Sequence, residues 1–383
     1  MSSLSRRRFL RETAAAASAA LAAPGILASA GGSPSPAMSG EGAMEDALAL
    51  LAKTGPEYAG RLANHGPMAA EALVTLERPD AVVPWVESYR KRLREHPSGT
   101  RAIDPKAWRE ALGEGGRVGD WIVFFDQALD EQPWRAVLAE WTPRLSPGII
   151  AAAFHGVIRT AHAVRSLGAR ETPARRRELA EGLAYWAATY NALPESRERK
   201  DRSRLPSQAI ADVQAVPADK RQSYGNITDR LRPLDTFAPF AGVADLVDAT
   251  GDSSAFISDL TETFARAYLV NVPKGGSVIT YLHGVTGPSA MRLLLPHLDA
   301  SAKSQMLRYG WQGAAGMYAA SGGEPGAPKV GEAAGTFDDL IDRAIATRDE
   351  HAIKFTEACR REHALNPKPA YLAAARDAVT RLG

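Results

Sequence analysis

A histidine and a lysine three residues apart, His351 and Lys354, form the first pattern in this sequence that could perform chemistry. They lie within residues 336–362, where apolar side chains recur at steps of three, four or seven residues. This recurrence predicts one long amphipathic helix. At about 100° per residue, His351 falls on the apolar face and Lys354 about 60° round from it, so both side chains can reach one point. The alternative interpretation is a packed histidine beside a lysine whose stem covers apolar surface while its amine reaches water.

Three further histidines share two properties with His351, an apolar helical setting and a small neighbouring residue. They are His65, His155 and His283, and each is followed by glycine. A small residue beside a ligand lets backbones approach, as four elements that converge on one ion would require. Each of the four is also compatible with a hydrogen-bonded histidine of the core, so this pattern alone leaves both interpretations open.

A second pair of histidines lies within one apolar stretch. Residues 146–164 are apolar almost all round and begin with Pro147, which predicts a buried central helix. His155 and His162 share one face of this helix, but seven residues separate them by about 10.5 Å along the axis. Because that distance is too long for two ligands of one ion, only one of the two is a candidate ligand.

The elements that would carry these residues are helical. Helical periodicity recurs through most of the chain, and we find no run of alternating strands and no repeat of fixed period. We therefore predict an all-α fold, with a single multi-helix domain at residues 43–383 and a buried metal site between its helices. Residues 31–42, rich in Gly, Ser and Pro, are predicted to be a flexible linker. Residues 194–235 are charged and rich in turn-forming residues, which predicts a long surface excursion and a candidate lid.

Composition and missing motifs exclude several classes of protein. The 383 residues are 45% hydrophobic and carry a net charge of +2 without a basic tract, which argues against a nucleic-acid partner. The single cysteine, Cys359, excludes an intrachain disulfide. The phosphate-loop, H-E-x-x-H and G-x-S-x-G motifs are absent. There is also no Glu-x-x-His pair of the kind that di-iron carboxylate bundles use.

The N-terminus resembles an export signal. Residues 5–11, Ser-Arg-Arg-Arg-Phe-Leu-Arg, fit the twin-arginine pattern, and an Ala-rich run and an Ala-x-Ala site at residues 28–30 follow. The apolar run is too short and too weakly hydrophobic to span a bilayer, so no transmembrane segment is predicted in the mature chain. We predict a signal peptide at residues 1–30, export by the twin-arginine (Tat) machinery, and a periplasmic or secreted protein. Export in the folded state suits a protein that binds a metal before it leaves the cytoplasm.

Four short motifs surround the candidate histidines in chain order. They are Asn64-His65, Phe154-His155-Gly156-Val157-Ile158, Tyr281-Leu282-His283-Gly284-Val285-Thr286 and Asp349-Glu350-His351-Ala352-Ile353-Lys354. Each motif is short, but the ordered set of four, ending in His-x-x-Lys, is fairly specific. In this order and spacing they resemble the questin oxidase-like family, and the resemblance covers roughly residues 43–365.

The resemblance implies an oxidoreductase of anthraquinone-type polyketides that inserts oxygen or cleaves a ring. It also implies a non-haem iron held by four histidines and an N-carboxylated lysine. The matching positions are His65, His155, His283, His351 and, as the carboxylated lysine, Lys354. Two positions depart from the family pattern: Arg159 stands where a histidine is common, and His162 where relatives tend to carry an aromatic residue.

The chemistry of these residue types agrees with that assignment. Imidazole suits Fe(II), and one anionic oxygen ligand would compensate the charge that four neutral histidines leave. Burial lowers the pKa of a lysine, and the free amine can then add CO₂ to give a carbamate. Five protein ligands leave one octahedral position for O₂ or an aromatic substrate. The candidate residues of the substrate pocket are Phe154, Arg159, His162 and Tyr281.

Two other functions remain open from the sequence. One is an NADPH-dependent monooxygenase of the Baeyer–Villiger type, in which the histidines perform acid–base chemistry without a metal. The other is a non-catalytic metal-binding protein of the periplasm.

Overall fold

The structure, a computed structural model, describes residues 39–59, 61–196, 204–328 and 335–383. The predicted signal peptide and most of the predicted linker lie outside the described residues. The described residues belong to one compact unit, and the first described helix begins at Gly40 with the Ser39 hydroxyl as its N-cap. No described helix has both the length and the apolar character needed to cross a membrane.

Helices account for nearly all of the regular structure among the described residues, so the predicted all-α, single-domain fold is confirmed. The helices are α1 (Gly40–Leu51), α2 (Gly66–Thr75), α3 (Pro79–Tyr89), α4 (Val118–Glu131), α5 (Trp134–Leu145), α6 (His155–Ala169), α7 (Pro173–Ala188), α8 (Pro206–Ala209), α9 (Ile227–Leu231), α10 (Ser253–Asn271), α11 (Val278–Leu294), α12 (Ala300–Ala320), α13 (Phe337–Thr347), α14 (Glu350–Leu365) and α15 (Pro369–Leu382). The strands are β1 (Glu57–Tyr58) and β2 (Leu62–Ala63), which pair antiparallel in a short hairpin.

Four helices form a closed ring at the centre of the molecule. Helix α2 contacts α6, α6 contacts α11, α11 contacts α14, and α14 returns to contact α2. The four helices run in the same direction, because residues near their N-termini contact one another and so do residues six or seven positions further along. Parallel neighbours need long crossover connections, and the helices that intervene in sequence supply them.

The other helices cover the ring from outside. Helices α1 and α3 pack on α2, helix α7 on α6, helices α10 and α12 on α11, and helices α13 and α15 on α14. A smaller apolar cluster joins α1, α2 and α3 to Ile341 and Ile353, and a larger one fills the rest of the interior. The ring therefore lies in the dry centre of the protein, where polar side chains need partners.

Two of the helices predicted from periodicity are interrupted in the structure. Residues 336–362 form α13 and α14 instead of one helix, because Arg348 adopts a left-handed conformation (φ 59°) and Asp349 caps a new helix. Residues 146–164 are not one helix either, since Ala152, Ala153 and Phe154 all have positive φ and α6 begins only at His155. Both interruptions fall immediately before a candidate histidine.

The charged region at residues 194–235 carries regular structure where it is described. It contains α8, α9 and three short 3₁₀ turns, and buried apolar side chains such as Val216, Leu231 and Leu234 anchor it to the core. The start of α9 faces the hairpin β1–β2, because Arg61 next to β2 contacts Asp229 of α9 at 3.2 Å.

Candidate metal centre

The four predicted histidines come together at one end of the central ring. Ring centroids are 4.5 Å apart for His65 and His155, and 4.6 Å apart both for His155 and His283 and for His65 and His351. His283 and His351 close the set at 5.5 Å. Each ring therefore contacts two others, as the four helices do.

Helix starts position three of the four rings. His65 is the N-cap of α2, His155 is the first residue of α6 and His351 the second residue of α14. His283 lies one turn further along α11. Because the partial positive charge at a helix N-terminus disfavours protonation of a nearby ring, this placement favours neutral imidazole at His65 and His155, the form that binds a metal.

Local hydrogen bonds fix the chain on either side of His65. The Asn64 side chain donates to the Gly55 carbonyl at 2.9 Å and accepts from the Gly66 amide at 2.8 Å. The His65 amide donates to the Tyr89 hydroxyl at 2.7 Å. These hydrogen bonds of Asn64 and His65 fix the loop before α2, and the loop directs the His65 imidazole towards the other three histidines.

The hydrogen bonds of His155 and His283 determine which nitrogen faces the centre. Nδ1 of His155 lies 2.5 Å from the Ala152 carbonyl, and Nδ1 of His283 lies 2.6 Å from the Ile279 carbonyl. A carbonyl only accepts, so each Nδ1 carries a proton and each neutral ring keeps a lone pair on Nε2. The two Nε2 atoms lie 3.1 Å apart. Two lone pairs at this distance need a cation or a proton between them.

Burial keeps these rings uncharged. His65, His155 and His283 are almost fully buried, and burial lowers the pKa of each well below the usual value for histidine. Neighbouring positive charge, including that of Lys354, lowers the three pKa values further. In addition, Nδ1 of His65 is buried and has no hydrogen-bond partner. A second proton at this centre is therefore unfavourable, whereas a metal ion would use the free electron pairs.

The donor geometry fits a single metal ion. One ligand nitrogen from each of His65, His155 and His351 lies within 4.8 Å of the other two. With metal–nitrogen bonds of about 2.1 Å, adjacent ligand nitrogens lie about 3.0–3.4 Å apart, and the 3.1 Å between His155 and His283 falls in this range. A cluster of imidazoles without a carboxylate suits iron, zinc, copper or nickel better than calcium or magnesium.

Lys354 is more buried than the sequence pattern predicts. It is only 3% exposed, less than His351, although helical periodicity places it at the edge of the apolar face. Burial lowers its pKa from 10.5 to about 8, and Glu350 and Asp349 oppose this effect only in part. A noticeable fraction of the amine is therefore neutral near pH 7 to 8, as addition of CO₂ requires.

A cavity of about 350 Å³ leads to the histidines. Its walls come from the hairpin, the turn before α6, the start of α9, the start of α11 and all four histidines. An adjoining cavity of about 660 Å³ shares Arg61, Ala152, Asn226 and Thr228 with it. Part of the predicted excursion thus forms a wall of the candidate site.

The four predicted pocket residues lie elsewhere; none of them is among the described residues that line this cavity. The Phe154 ring fills the space beside Gly287 and Gly313. Tyr281 is buried next to Gly276. Arg159 is buried between Glu178 and Glu181, with which it forms hydrogen bonds of 2.6–2.8 Å.

His162 belongs to a second polar cluster, two helical turns below the histidines. Its Nδ1 donates to Glu71 at 2.6 Å, and Arg165 donates to both oxygens of Glu71 and to Glu357 at 2.5–2.6 Å. Arg361 contacts Glu357 at 3.2 Å and donates to the Ser289 hydroxyl at 2.9 Å. We call the following residues the paired layer: Glu71, His162, Arg165, Ser289, Glu357 and Arg361.

The paired layer repeats the positions of the histidines. Glu71, Ser289 and Glu357 each follow a candidate ligand by six residues on α2, α11 and α14, and His162 follows His155 by seven on α6. Contacts at both levels show that the four helices run in parallel from the histidines. We call the upper level, His65, His155, His283, His351 and Lys354, the histidine layer.

Several residues near the candidate centre carry no sequence signal that we recognised. Tyr58 lines the cavity and donates to Glu350 at 3.2 Å, and Glu350 also accepts from Arg92 at 2.8 Å. Arg61 and Arg230 line the same cavity. Tyr58 and Arg61 lie in a short hairpin and Arg230 in a charged surface segment, where neither periodicity nor a motif distinguishes them.

Comparison with known proteins agrees with the motifs. The family model described as "Questin oxidase-like" matches residues 84–359. The match includes His155, His283, His351 and Lys354, whereas His65 precedes it. No curated protein matches the sequence significantly.

Proposed function

Because the chain belongs to the questin oxidase-like family, we propose that it is an iron-dependent oxygenase of a polycyclic or phenolic aromatic compound. The family implies an oxidoreductase that acts on an aromatic polyketide with O₂. Our proposal adds the iron, its ligands His65, His155, His283, His351 and carboxylated Lys354, and export through the twin-arginine machinery.

The observation that carries this proposal is the opposed pair of Nε2 atoms. His155 and His283 both direct lone pairs at one point, because backbone carbonyls hold both Nδ1 protons. A core histidine without a ligand would instead use its second nitrogen to satisfy a neighbour. Two further histidines meet at the same point, so a metal ion explains the arrangement better than packing does.

Lys354 supports the choice of a fifth, anionic ligand. In carbamate formation, the neutral amine attacks CO₂, a nitrogen–carbon bond forms, and one amine proton leaves. The resulting carboxylate would compensate part of the charge of a divalent ion. Burial favours the neutral amine, and the positive ends of three helices favour the anionic product.

The residues of the chain would bind the substrate and exclude water from it. Iron bound to the four histidines and Lys354 would supply the redox chemistry that activates O₂. Apolar side chains such as Ile279 and Leu62 line the cavity beside the histidines, and an aromatic ring would bind between them. Burial raises the pKa of Tyr58 to about 12, so its hydroxyl stays protonated; because its proton goes to Glu350, its oxygen can accept a hydrogen bond from a substrate hydroxyl.

Metal analysis of protein purified without a histidine tag tests the proposal. We expect about one iron per chain, together with O₂ uptake on addition of a hydroxyanthraquinone. Iron well below one per chain, or zinc in its place, would overturn the assignment. O₂ uptake that persists in metal-free protein and requires NADPH would favour the monooxygenase without a metal. Iron without any O₂ uptake would favour a metal-binding protein.

A lysine variant tests the fifth ligand separately. Lys354→Ala should lose iron and activity, and ¹³C NMR of protein equilibrated with ¹³CO₂ should lose a carbamate signal. The control is Lys368→Ala, since the Lys368 side chain is 41% exposed. If iron and activity survive in Lys354→Ala, Lys354 is not a ligand.

The export proposal rests on the sequence pattern of residues 5–11. Replacement of Arg6 and Arg7 by lysine should leave the precursor in the cytoplasm, which fractionation of the cells and immunoblotting would show. Normal delivery to the periplasm would contradict twin-arginine export.

A further inference from the structure

The cavity above the histidines has an unbalanced charge. Two arginines, Arg61 and Arg230, line it, and none of its described lining residues carries a carboxylate. Its other polar groups are neutral hydroxyls and amides, such as those of Thr228, Thr280 and Asn226. A cavity lined in this way favours an anionic group near the two arginines.

Arg61 already has a partner. Its guanidinium donates to both oxygens of Asp229 at 3.2 Å, and the Arg61 side chain is 61% exposed. The pair connects the hairpin to α9 at the edge of the cavity. Water and Asp229 satisfy this arginine, so it needs no ligand.

Arg230 differs from Arg61 on both points. Among the described residues, no carboxylate, carbonyl or hydroxyl accepts a hydrogen bond from its guanidinium, and its Nε is buried without a partner. The residue as a whole is only partly exposed. A buried N–H of a charged group that has no acceptor destabilises the fold. Its place in the wall of the cavity gives this cost a functional reason.

We infer that Arg230 binds an anionic substituent of the aromatic substrate, a ring carboxylate or an ionised phenol, at the cavity that leads to the histidines. The inference rests on the proposed function, since it names the substrate class of that same site. A guanidinium presents parallel N–H groups that match a carboxylate or a phenolate, and such charge-assisted hydrogen bonds are stronger than neutral ones. With the anion on Arg230, the uncharged ring system extends towards the histidines.

The rest of the cavity fits the uncharged part of such a ligand. Leu62, Ala63 and Ile279 offer apolar surface, and the Thr280 hydroxyl can donate to a ring oxygen. A volume of about 350 Å³ accommodates a substrate of two or three fused rings, and the adjoining cavity leaves room for a longer one.

The test measures binding and needs no turnover. Full-length protein as purified would be titrated with matched pairs of probes: benzoate and benzamide, 2-naphthoate and 2-naphthamide, and anthraquinone-2-carboxylate and anthraquinone-2-carboxamide. In each pair the ring is the same and only the charge differs. Tryptophan fluorescence quenching or calorimetry gives the Kd. The variants are Arg230→Gln and, as a control for net charge, Arg170→Gln, because Arg170 is exposed at the other end of α6 from His155.

For at least one ring size, the wild type should bind the carboxylate at least tenfold more tightly than the carboxamide. Arg230→Gln should weaken carboxylate binding about 10- to 100-fold and change carboxamide binding less than twofold, whereas Arg170→Gln should change neither. An equal loss for both probes would show a role in shape only and overturn the inference. A lack of preference for the carboxylate, or no binding of any probe by the wild type, would overturn it as well.

These outcomes are distinguishable from failure of the proposed function. If Arg230 selects the carboxylate but the protein holds no iron and consumes no O₂, the anion site stands and the oxygenase proposal fails. If the protein oxidises neutral and anionic aromatics equally well, the oxygenase proposal stands and the role of Arg230 fails.

Discussion

The histidine layer and the paired layer lie two helical turns apart on the same four helices, and their charges are arranged in opposite ways. In the paired layer, Arg165 lies between Glu71 and Glu357, and His162 donates to Glu71. In the histidine layer, two neutral rings direct lone pairs at each other and Nδ1 of His65 has no partner. In the paired layer the opposite charges face one another, with only Nε of Arg361 left without a hydrogen bond, whereas the histidine layer leaves several ring nitrogens without an opposite charge or a proton to share.

This difference separates a structural role from a functional one at equal burial. Burial alone would raise the pKa of Glu71 and Glu357, but contact with Arg165 and its neighbours lowers the pKa of both carboxyls. The paired layer therefore contributes to folding without any added ion. Burial is the chief cause that lowers the pKa values of His65, His155 and His283, so without a metal these three rings destabilise the folded protein as the pH falls below the usual pKa of histidine. The lowered pKa of Lys354 has its effect between about pH 8 and 10.5.

The largest expected effect is loss of a charge from the paired layer. Glu71 accepts hydrogen bonds from both Arg165 and His162 in the protein interior. Glu71→Ala removes this acceptor and leaves part of a buried positive charge uncompensated, so the free energy of unfolding should fall by about 3–5 kcal/mol. Urea unfolding of the metal-free protein measures it. The control is Glu77→Ala, whose side chain is 79% exposed, and its change should stay within about 0.5 kcal/mol. A loss below about 1 kcal/mol for Glu71→Ala would show that the paired layer does not hold the helices.

The sequence predicted the members of the histidine layer but not how the chain delivers them. Residue type, an apolar setting and a small neighbour made His65, His155, His283 and His351 candidates, and the resemblance of the four motifs to one family assigned them as ligands. The two helix starts at His155 and His351 were missed, because left-handed residues such as Phe154 and Arg348 break the helix without a glycine or proline to mark the break. Each break places a histidine at a helix N-terminus, so the local irregularity is part of the site.

The sequence did not predict the paired layer, for a different reason. Charged residues in helices are usually solvated, and nothing local shows that Glu71 and Glu357 are buried. Their partner, Arg165, is distant in sequence, and only the ring of four parallel helices brings the three together. The spacing of six or seven residues from each histidine is recognisable only once the four helices are known to be neighbours.

The second prediction concerns the metal and should affect only the histidine layer. At a free iron concentration of 100 times the Kd, iron binding should stabilise the folded protein by about 2.7 kcal/mol, and a chelator should abolish this gain. In His283→Gln the gain should disappear while the metal-free stability changes by less than about 1 kcal/mol. Thermal unfolding with and without iron measures both quantities. A chelator-sensitive gain that survives in His283→Gln would place the ion elsewhere.

The third prediction uses the pKa of Lys354. Its folded pKa is about 8 against 10.5 in the unfolded chain, so between these values the unfolded state binds more protons and stability rises with pH. Below about pH 8 the full cost of the buried charge is present. In CO₂-free buffer without metal, Lys354→Met should therefore be about 3 kcal/mol more stable than the wild type at pH 7.

That difference should narrow above pH 8 and largely vanish near pH 10.5. Urea unfolding at several pH values gives the curve. A difference that is constant across this range would show that the variant changes packing only, and that Lys354 is not a buried titrating amine.

The smallest change in stability should come from His162→Gln, and it distinguishes the two layers most sharply. His155 and His162 lie on the same face of α6, but the structure places one among lone pairs and the other against Glu71. The glutamine amide can still donate to Glu71, so the free energy of unfolding should fall by about 1 kcal/mol or less, and iron content should stay near one per chain. His155→Gln makes the same chemical change seven residues earlier, and there the iron should be lost while metal-free stability hardly changes. Elemental analysis of both variants measures their iron content, and urea unfolding measures their metal-free stability. If His162→Gln loses the metal and His155→Gln keeps it, the two layers have exchanged roles and the ligand set proposed here is wrong.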